Sequence, residues 1–272
     1  MKKPLQANRN YTMLLKRIVV GVIGVWSALF LAIVFWHSRA EYIGTVRTAK
    51  SFARFTFEKD LSYRRWAAGH GGVYVPVTEE TPPNPFLSDI ENRVVSTTAG
   101  QELTLINPAY MTRQVLEASA EQYGHQGHIT SLNPLRPENK PDLWEGSALR
   151  AFEIGETEVV GISTIEGAPY LRLMRPLLTE ASCLACHSAQ GYVVGDVRGG
   201  ISVSVPLAPL LANMKSKTKS VTLSFATVWI VGLAGIGFGS RFISQRIAES
   251  RKSEENYGRI VNLSPDLITV YS

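Results

Sequence analysis

The chain has 272 residues, with 28 Lys+Arg against 23 Asp+Glu, a formal net charge of +5 and 45% hydrophobic residues, all ordinary for a globular protein. Most of the positive excess flanks two uncharged stretches, which excludes reading it as a nucleic-acid footprint. No internal repeat or low-complexity segment occurs.

Residues 1–17 carry Lys2, Lys3, Arg9, Lys16 and Arg17, and no charge follows from Ile18 to Trp36. About 19 helical residues at about 1.5 Å each cross a hydrocarbon core of about 30 Å, so 18–36 is expected to be a first transmembrane helix. A secretory signal is the alternative, but the segment is longer than a signal core and His37–Glu41 makes a poor cleavage site. From Arg39 to about Trp66 there is no proline, and Gly44 is the single glycine. Tyr42, Val46, Ala49, Ala53 and Phe57 recur at three- and four-residue spacing. The pattern predicts a helix continuing out of the membrane with a core-facing stripe, in preference to a dimer seam.

The stretch from Gly69 to Pro85, rich in Gly, Pro and Thr, predicts an extended loop over the domain surface or a ligand pocket. Asn107-Pro108 supplies an N-cap acceptor and a first-turn proline for a helix to about Tyr123. A second proline-rich run, 133–141, leads into a helix from Asp142 to about Phe152. Val159–Ile165, a turn at Glu166-Gly167, and Tyr170–Met174 predict a β-hairpin, and Gly200–Val205 a further strand. Helices followed by a short antiparallel sheet make an α+β domain.

Val221–Gly239 is again uncharged, with Trp229 and Phe238 near its ends, and predicts a second span over 221–239. Arg241, Arg246, Arg251, Lys252 and Arg259 follow it, so both termini are expected in the cytoplasm and residues 37–220 in the periplasm, within the bacterial inner (cytoplasmic) membrane. Lys215, Lys217 and Lys219 oppose this orientation, unless they lie in a helix meeting lipid headgroups. Residues 240–255 read as a cytoplasmic linker helix. Residues 256–272, a short helix and a strand start at Ser264–Tyr271, look like the beginning of a truncated PAS domain, whose remainder and output domain are expected to be missing.

The chemistry sits in Cys183-Leu184-Ala185-Cys186-His187. Two thiols one helical turn apart can add across the two vinyl groups of a haem, and the adjacent imidazole can bind its iron, so one covalently attached haem c is expected on Cys183 and Cys186 with His187 as ligand. A redox dithiol would want a thioredoxin-like βαβ setting, and a zinc site a second ligand pair, which a chain with two cysteines lacks. For the sixth ligand the leading candidate is His70, in Gly69-His70-Gly71-Gly72, where glycines would let backbone approach a flat cofactor. His125, His128, Met111, Met174 or an empty position are alternatives. Arg136, Arg172 and Arg175 are candidate partners for the haem propionates, and Trp144 and Tyr170 candidate packing aromatics.

Tyr63-Arg64-Arg65-Trp66 with His70-Gly71-Gly72-Val73-Tyr74, then Pro83-Asn84-Pro85-Phe86, Asn133-Pro134-Leu135-Arg136-Pro137, Pro141-Asp142-Leu143-Trp144-Glu145 and Met174-Arg175-Pro176 form an ordered set ending at the Cys183 motif. Through them the chain resembles the bacterial single-haem, c-type PAS-like sensory domains carried outside the membrane by histidine kinases and cyclic-dinucleotide enzymes. The resemblance implies a PAS-like fold around one haem, flanked by two transmembrane helices, and a signalling role.

The expected function is thus a membrane-anchored haem c sensor of redox state or a diatomic gas, acting on a cytoplasmic output. An anchored electron-transfer cytochrome is the rival, and no residue set argues for catalysis. The expected partners are membrane lipid, a gas or redox partner and a second copy in a homodimer, with no nucleic acid.

Overall fold

The computed structural model describes residues 3–263. It is mixed helix and sheet, and divides into one unit formed by residues up to Glu41 and from Lys215 onward, and another formed by Tyr42–Met214. Two helices are long and apolar enough to cross a membrane, and none of their most apolar stretch is buried, unlike a core helix of a soluble protein. They are α1 (Lys3–Gly69) and α5 (Leu207–Leu263).

Within the first unit these helices run antiparallel. The indole of Trp26 donates to the Trp229 carbonyl (3.0 Å), that of Trp229 donates to Ser27 Oγ (3.2 Å), and Phe30 stacks on Trp229. Lys217 pairs with Glu41 at 2.9 Å. The indole N–H groups thus find acceptors on the neighbouring helix, as donors in an apolar setting must. The helix expected at 256–261 is continuous with α5, because nothing in 240–263 breaks the backbone ladder. The strand start at 264–271 lies outside the described residues.

The second unit holds seven strands: β1 (Val73–Pro76), β2 (Val94–Ser96), β3 (Glu102–Ile106), β4 (Gln126–Thr130), β5 (Val159–Ile165), β6 (Ala168–Leu178) and β7 (Val197–Pro206). They form a three-stranded sheet, β1-β3-β2, and a four-stranded sheet, β4-β7-β6-β5, with every pairing antiparallel. Three further helices are α2 (Pro108–Tyr123), α3 (Leu143–Glu153) and the short α4 (Leu184–His187).

Period-2 alternation explains how the larger sheet is covered on both faces. Leu171 and Leu173 of β6 with Ile201, Val203 and Val205 of β7 pack on Ala49, Ala53 and Phe57 of α1. Met174, next after Leu173 and on the opposite face, points to α3, where it meets Leu149 and Phe152. Alanines at 49 and 53 let the α1 backbone approach the sheet, and burying Phe57 contributes on the order of 2–3 kcal/mol. The stripe read from the sequence is therefore core-facing from Ala49 to Phe57, while Tyr42 stays exposed.

Local chemistry sets the helix starts as expected. Asn107 caps α2, its side chain accepting from the Tyr110 N–H at 2.8 Å, and α2 ends on left-handed Gly124. Asp142 and Glu145 form a reciprocal capping box on α3. The β5–β6 hairpin closes through Glu166 (φ 50) and Gly167 (φ 81), both left-handed, the two-residue turn whose twist matches the flanking strands. Two expectations fail. The Gly69–Pro85 segment contains β1, and strands precede α2, so the order is interleaved instead of helices first. β1 and β3 pair across about thirty residues, and no local spacing announces such a partner.

Candidate functional site

The connection between the adjacent strands β6 and β7 is a compact helical loop. Thr179 N–H donates to the Asp196 carbonyl (2.8 Å) and Gly195 N–H to the Thr179 carbonyl (2.9 Å), closing its base. On this base stand a 3-10 turn (Ala181–Cys183), α4 and a second 3-10 turn (Ser188–Gln190), ending on left-handed Gly191. Cys183 is a half-buried free thiol that accepts from the Glu180 N–H at 3.4 Å. Cys186 and His187 follow it within one helical turn, the spacing read from the sequence.

Around His187 the hydrogen bonds settle a tautomer. Gln190 Nε2 donates to the Asn133 carbonyl (2.9 Å), which turns Gln190 Oε1 toward His187 Nδ1 at 2.5 Å. Facing an acceptor, Nδ1 carries the proton, and Nε2 keeps a lone pair. That lone pair accepts from the guanidinium of Arg198 at 2.8 Å. Burial lowers the His187 pKa, the Gln190 bond opposes this, and the positive charges of Arg198 and Arg64 add to the lowering. The ring is thereby held as a neutral imidazole, the form that ligates a metal.

His187 lines two neighbouring clefts. The larger, with about 900 Å³ of open volume, has Phe86, Leu87, Tyr110 and Ile129 as apolar wall and Arg64, Arg113, Arg136 and Arg198 as cations. Among the described residues no carboxylate lines it. The smaller, about 630 Å³, contains Cys183 with Leu61, Ala68, Pro108 and Glu180. Both share Arg64, Leu177, His187 and Arg198. Arg64 is buried, donating to the Pro108 carbonyl (3.2 Å) and Thr112 Oγ1 (3.3 Å). Burial first, then the neighbouring Arg198, push its pKa down to about 10, so it remains a cation at neutral pH.

The other sequence candidates fall elsewhere. His70 is exposed at the end of α1, its ring 4.5 Å from Trp66 and its Nδ1 2.8 Å from the Trp66 carbonyl, and it lines neither cleft. Of the glycines beside it, Gly72 (φ 105) serves backbone packing, since a Cβ there would stand 2.9 Å from the Ile106 carbonyl oxygen, and its absence lets β1 approach β3; Gly69 and Gly71 meet open space. His125 packs on Phe52 at 4.8 Å, His128 bonds Glu145 at 2.9 Å, Met174 is fully buried beside Phe152, and Met111 lies half-buried on α2. None of these four lines either cleft.

Of the three arginines expected near propionates, Arg136 lines the larger cleft, paired with Glu138 at 3.2 Å. Arg172 is committed to Asp142 (2.7 Å) and Glu145 (3.2 Å) beneath Trp144, and Arg175 to Glu58. Trp144, in the first turn of α3, packs against the core cluster that includes Met174, and Tyr170 lines neither cleft.

Arg64, Arg113 and Arg198 were missed. Arg64 carried a readable signal, since it continues the buried α1 stripe Ala53, Phe57, Asp60, Arg64, Ala67, where a charge demands a partner.

The family model described as Tll0287-like: Tll0287 matches residues 43–206. A solved structure, "Crystal structure of the cyanobacterial heme-protein Tll0287", aligns at 18% identity with a TM-score of 0.37, over 61% of this chain and 95% of that one. At that level the structural likeness carries no argument about the site. No curated protein matches the chain.

Proposed function

We propose that this chain, which belongs to the Tll0287-like family over residues 43–206, is a membrane-anchored sensor whose central unit holds one haem c, bound through Cys183 and Cys186 with His187 as its axial ligand. The observation that carries the reading is the neutral His187, its Nε2 lone pair turned into a cleft that joins an apolar wall to four arginines without a lining carboxylate. Such a donor set fits a flat apolar macrocycle bearing two carboxylates. Haem would supply one-electron redox chemistry and binding of diatomic gases there. The chain's residues contribute the ligand, its tautomer through Gln190, and exclusion of water by Phe86, Leu87 and Tyr110.

The finer readings rest on further observations. A PAS-like fold is supported by the antiparallel sheet with helices on both faces, and membrane anchoring by the two uncharged helices. Periplasmic placement rests on the basic flanks and on covalent haem attachment being an export chemistry. Sensing is favoured over electron transfer because α1 and α5 each combine an apolar membrane-length segment with residues of the sensory core, Ala49–Phe57 and Leu207. A shift of the core thereby has a covalent route toward the membrane and a cytoplasmic output, and a homodimer would double it. Of the two stimuli, a diatomic gas is favoured, since none of His70, His125, His128, Met111 or Met174 lines the clefts. No catalysis is proposed for these residues.

Made with cytochrome c maturation factors, the chain should give a haem stain that survives denaturation and disappears in Cys183→Ser/Cys186→Ser. No covalent signal, or one that outlasts both substitutions, refutes the reading. The ferrous chain should bind carbon monoxide with a shifted Soret band. A chain that refuses the gas yet exchanges electrons with a redox protein would favour the anchored cytochrome.

A further inference from the structure

We infer that Arg113 and Arg198 take the two propionate carboxylates of the haem, backed by the buried charge of Arg64, and so fix which way round the macrocycle lies. The inference rests on the haem reading above.

Both arginines have a buried Nε without a hydrogen-bond partner, and both line the larger cleft. A buried donor left without an acceptor costs about 1–3 kcal/mol, and a guanidinium fork is matched by a carboxylate. Neither finds one nearby that satisfies it. Arg113 lies over Tyr110 at 4.5 Å, and its nearest carboxylate, Glu117, stands 3.9 Å away on the exposed side of α2, a surface pair worth little. Arg198 donates to His187 Nε2, a neutral acceptor. Once that lone pair is given to iron, Arg198 loses this partner too, so loading the site increases its demand for an anion. Arg64 adds a third cation, whose hydrogen bonds go to the neutral oxygens of Pro108 and Thr112. Three neighbouring cations in a partly dry cleft call for a dianion.

Porphyrin chemistry sets the direction. The vinyl-bearing edge that becomes bonded to cysteine and the propionate edge lie on opposite sides of the ring. Cys183 lines the smaller cleft and not the larger, whereas Arg113 lines the larger and not the smaller. With a thioether on Cys183, the carboxylate edge points toward Arg113. Arg136 shares that end, but its Nε is already taken by Glu138.

The test is redox-induced infrared difference spectroscopy on the matured full chain carrying haem labelled with carbon-13 in its propionates. Arg198→Gln and Arg113→Gln should shift the labelled carboxylate bands and lower the midpoint potential, because a cation beside the ferric haem has gone. Arg150→Gln, on the exposed face of α3, should do neither. Arg113→Lys, which keeps the charge and α2, should restore the potential more fully than the band positions. Haem-loaded variants with the parent's carboxylate bands overturn the cradle and leave the haem reading standing. Bands that ignore both arginines while the parent's potential responds to added inorganic phosphate would assign the cleft to a free anion and also overturn it. A parent chain without covalent haem refutes the function instead.

Discussion

Glu145 is only 2% exposed, yet it accepts from His128 Nδ1 (2.9 Å), Ser202 Oγ (2.5 Å) and the Asp142 backbone N–H (3.1 Å), and pairs with Arg172 at 3.2 Å. One buried carboxylate thus ties α3 to β4, β6 and β7. In Glu145→Ala the Arg172 side chain, 6% exposed, keeps only the half-exposed Asp142, while Ser202 and His128 lose their acceptor. Breaking a buried charged pair from one side costs about 3–5 kcal/mol. A domain of this size moves about 2–4 °C in Tm per kcal/mol, so a fall of roughly 6–20 °C is expected in circular-dichroism melts of the detergent-solubilised chain. Glu145→Gln keeps an acceptor for Ser202 and should cost about half as much. Adding Arg172→Met to Glu145→Ala should recover part of the loss, because the orphaned charge is removed with its partner. A shift under about 3 °C for Glu145→Ala, or no recovery in the double variant, would show that this network does not hold the sheet to α3.

The same pair makes stability depend on pH. His128 Nε2 faces the Glu138 carbonyl while Nδ1 faces Glu145, so both ring nitrogens act as donors, the protonated form. Burial opposes that charge, but the bond to Glu145 and its charge outweigh it and raise the His128 pKa above its ordinary 6.5. Burial likewise opposes ionisation of Glu145, but bonds to His128 and Ser202 bring its pKa below 4.5. The His128 contribution is therefore complete below about pH 6.5 and is lost as pH rises through the raised value. That of Glu145 is complete above about pH 4.5 and is lost as pH falls through the lowered one. Urea midpoints should peak between these limits, and His128→Asn should flatten the alkaline limb; an unchanged limb would count against the pairing. In the cleft itself, Gln190→Leu should leave the covalent haem stain intact and weaken the iron–imidazole bond about 10- to 100-fold, read as a shift of the ferric Soret band. An unaltered spectrum would mean that Gln190 does not set the His187 tautomer.

The parts legible in advance were those whose causes are local. Asn107-Pro108 and Asp142 with Glu145 carry their own helix-starting chemistry, and Glu166-Gly167 is a turn whatever surrounds it. The Ala49, Ala53, Phe57 stripe announced its buried face by period alone. β2, β3 and β4 went unread because they are three to five residues long, too short to show a period, and β4 becomes a strand only through a distant partner, β7, seventy or more residues away. His70 lies outside both clefts, and the sequence carries no sign of that for a related reason. Glycines around a histidine signal close backbone approach without saying to what, and here the answer was Ile106 of β3.

By itself the sequence determined the Cys183-Cys186-His187 turn, the two apolar helices and the helix and hairpin boundaries, because spacing, capping and hydropathy act within a few residues. Tertiary structure alone decided which nitrogen of His187 keeps its lone pair, and which arginines face the cleft. Those outcomes need Asn133, Gln190 and Arg198 around one ring, and Arg64 brought from α1 to the same cleft. Side chains separated by tens to more than a hundred residues meet only once the sheet has closed, and charge and hydrogen-bond direction are properties of that meeting.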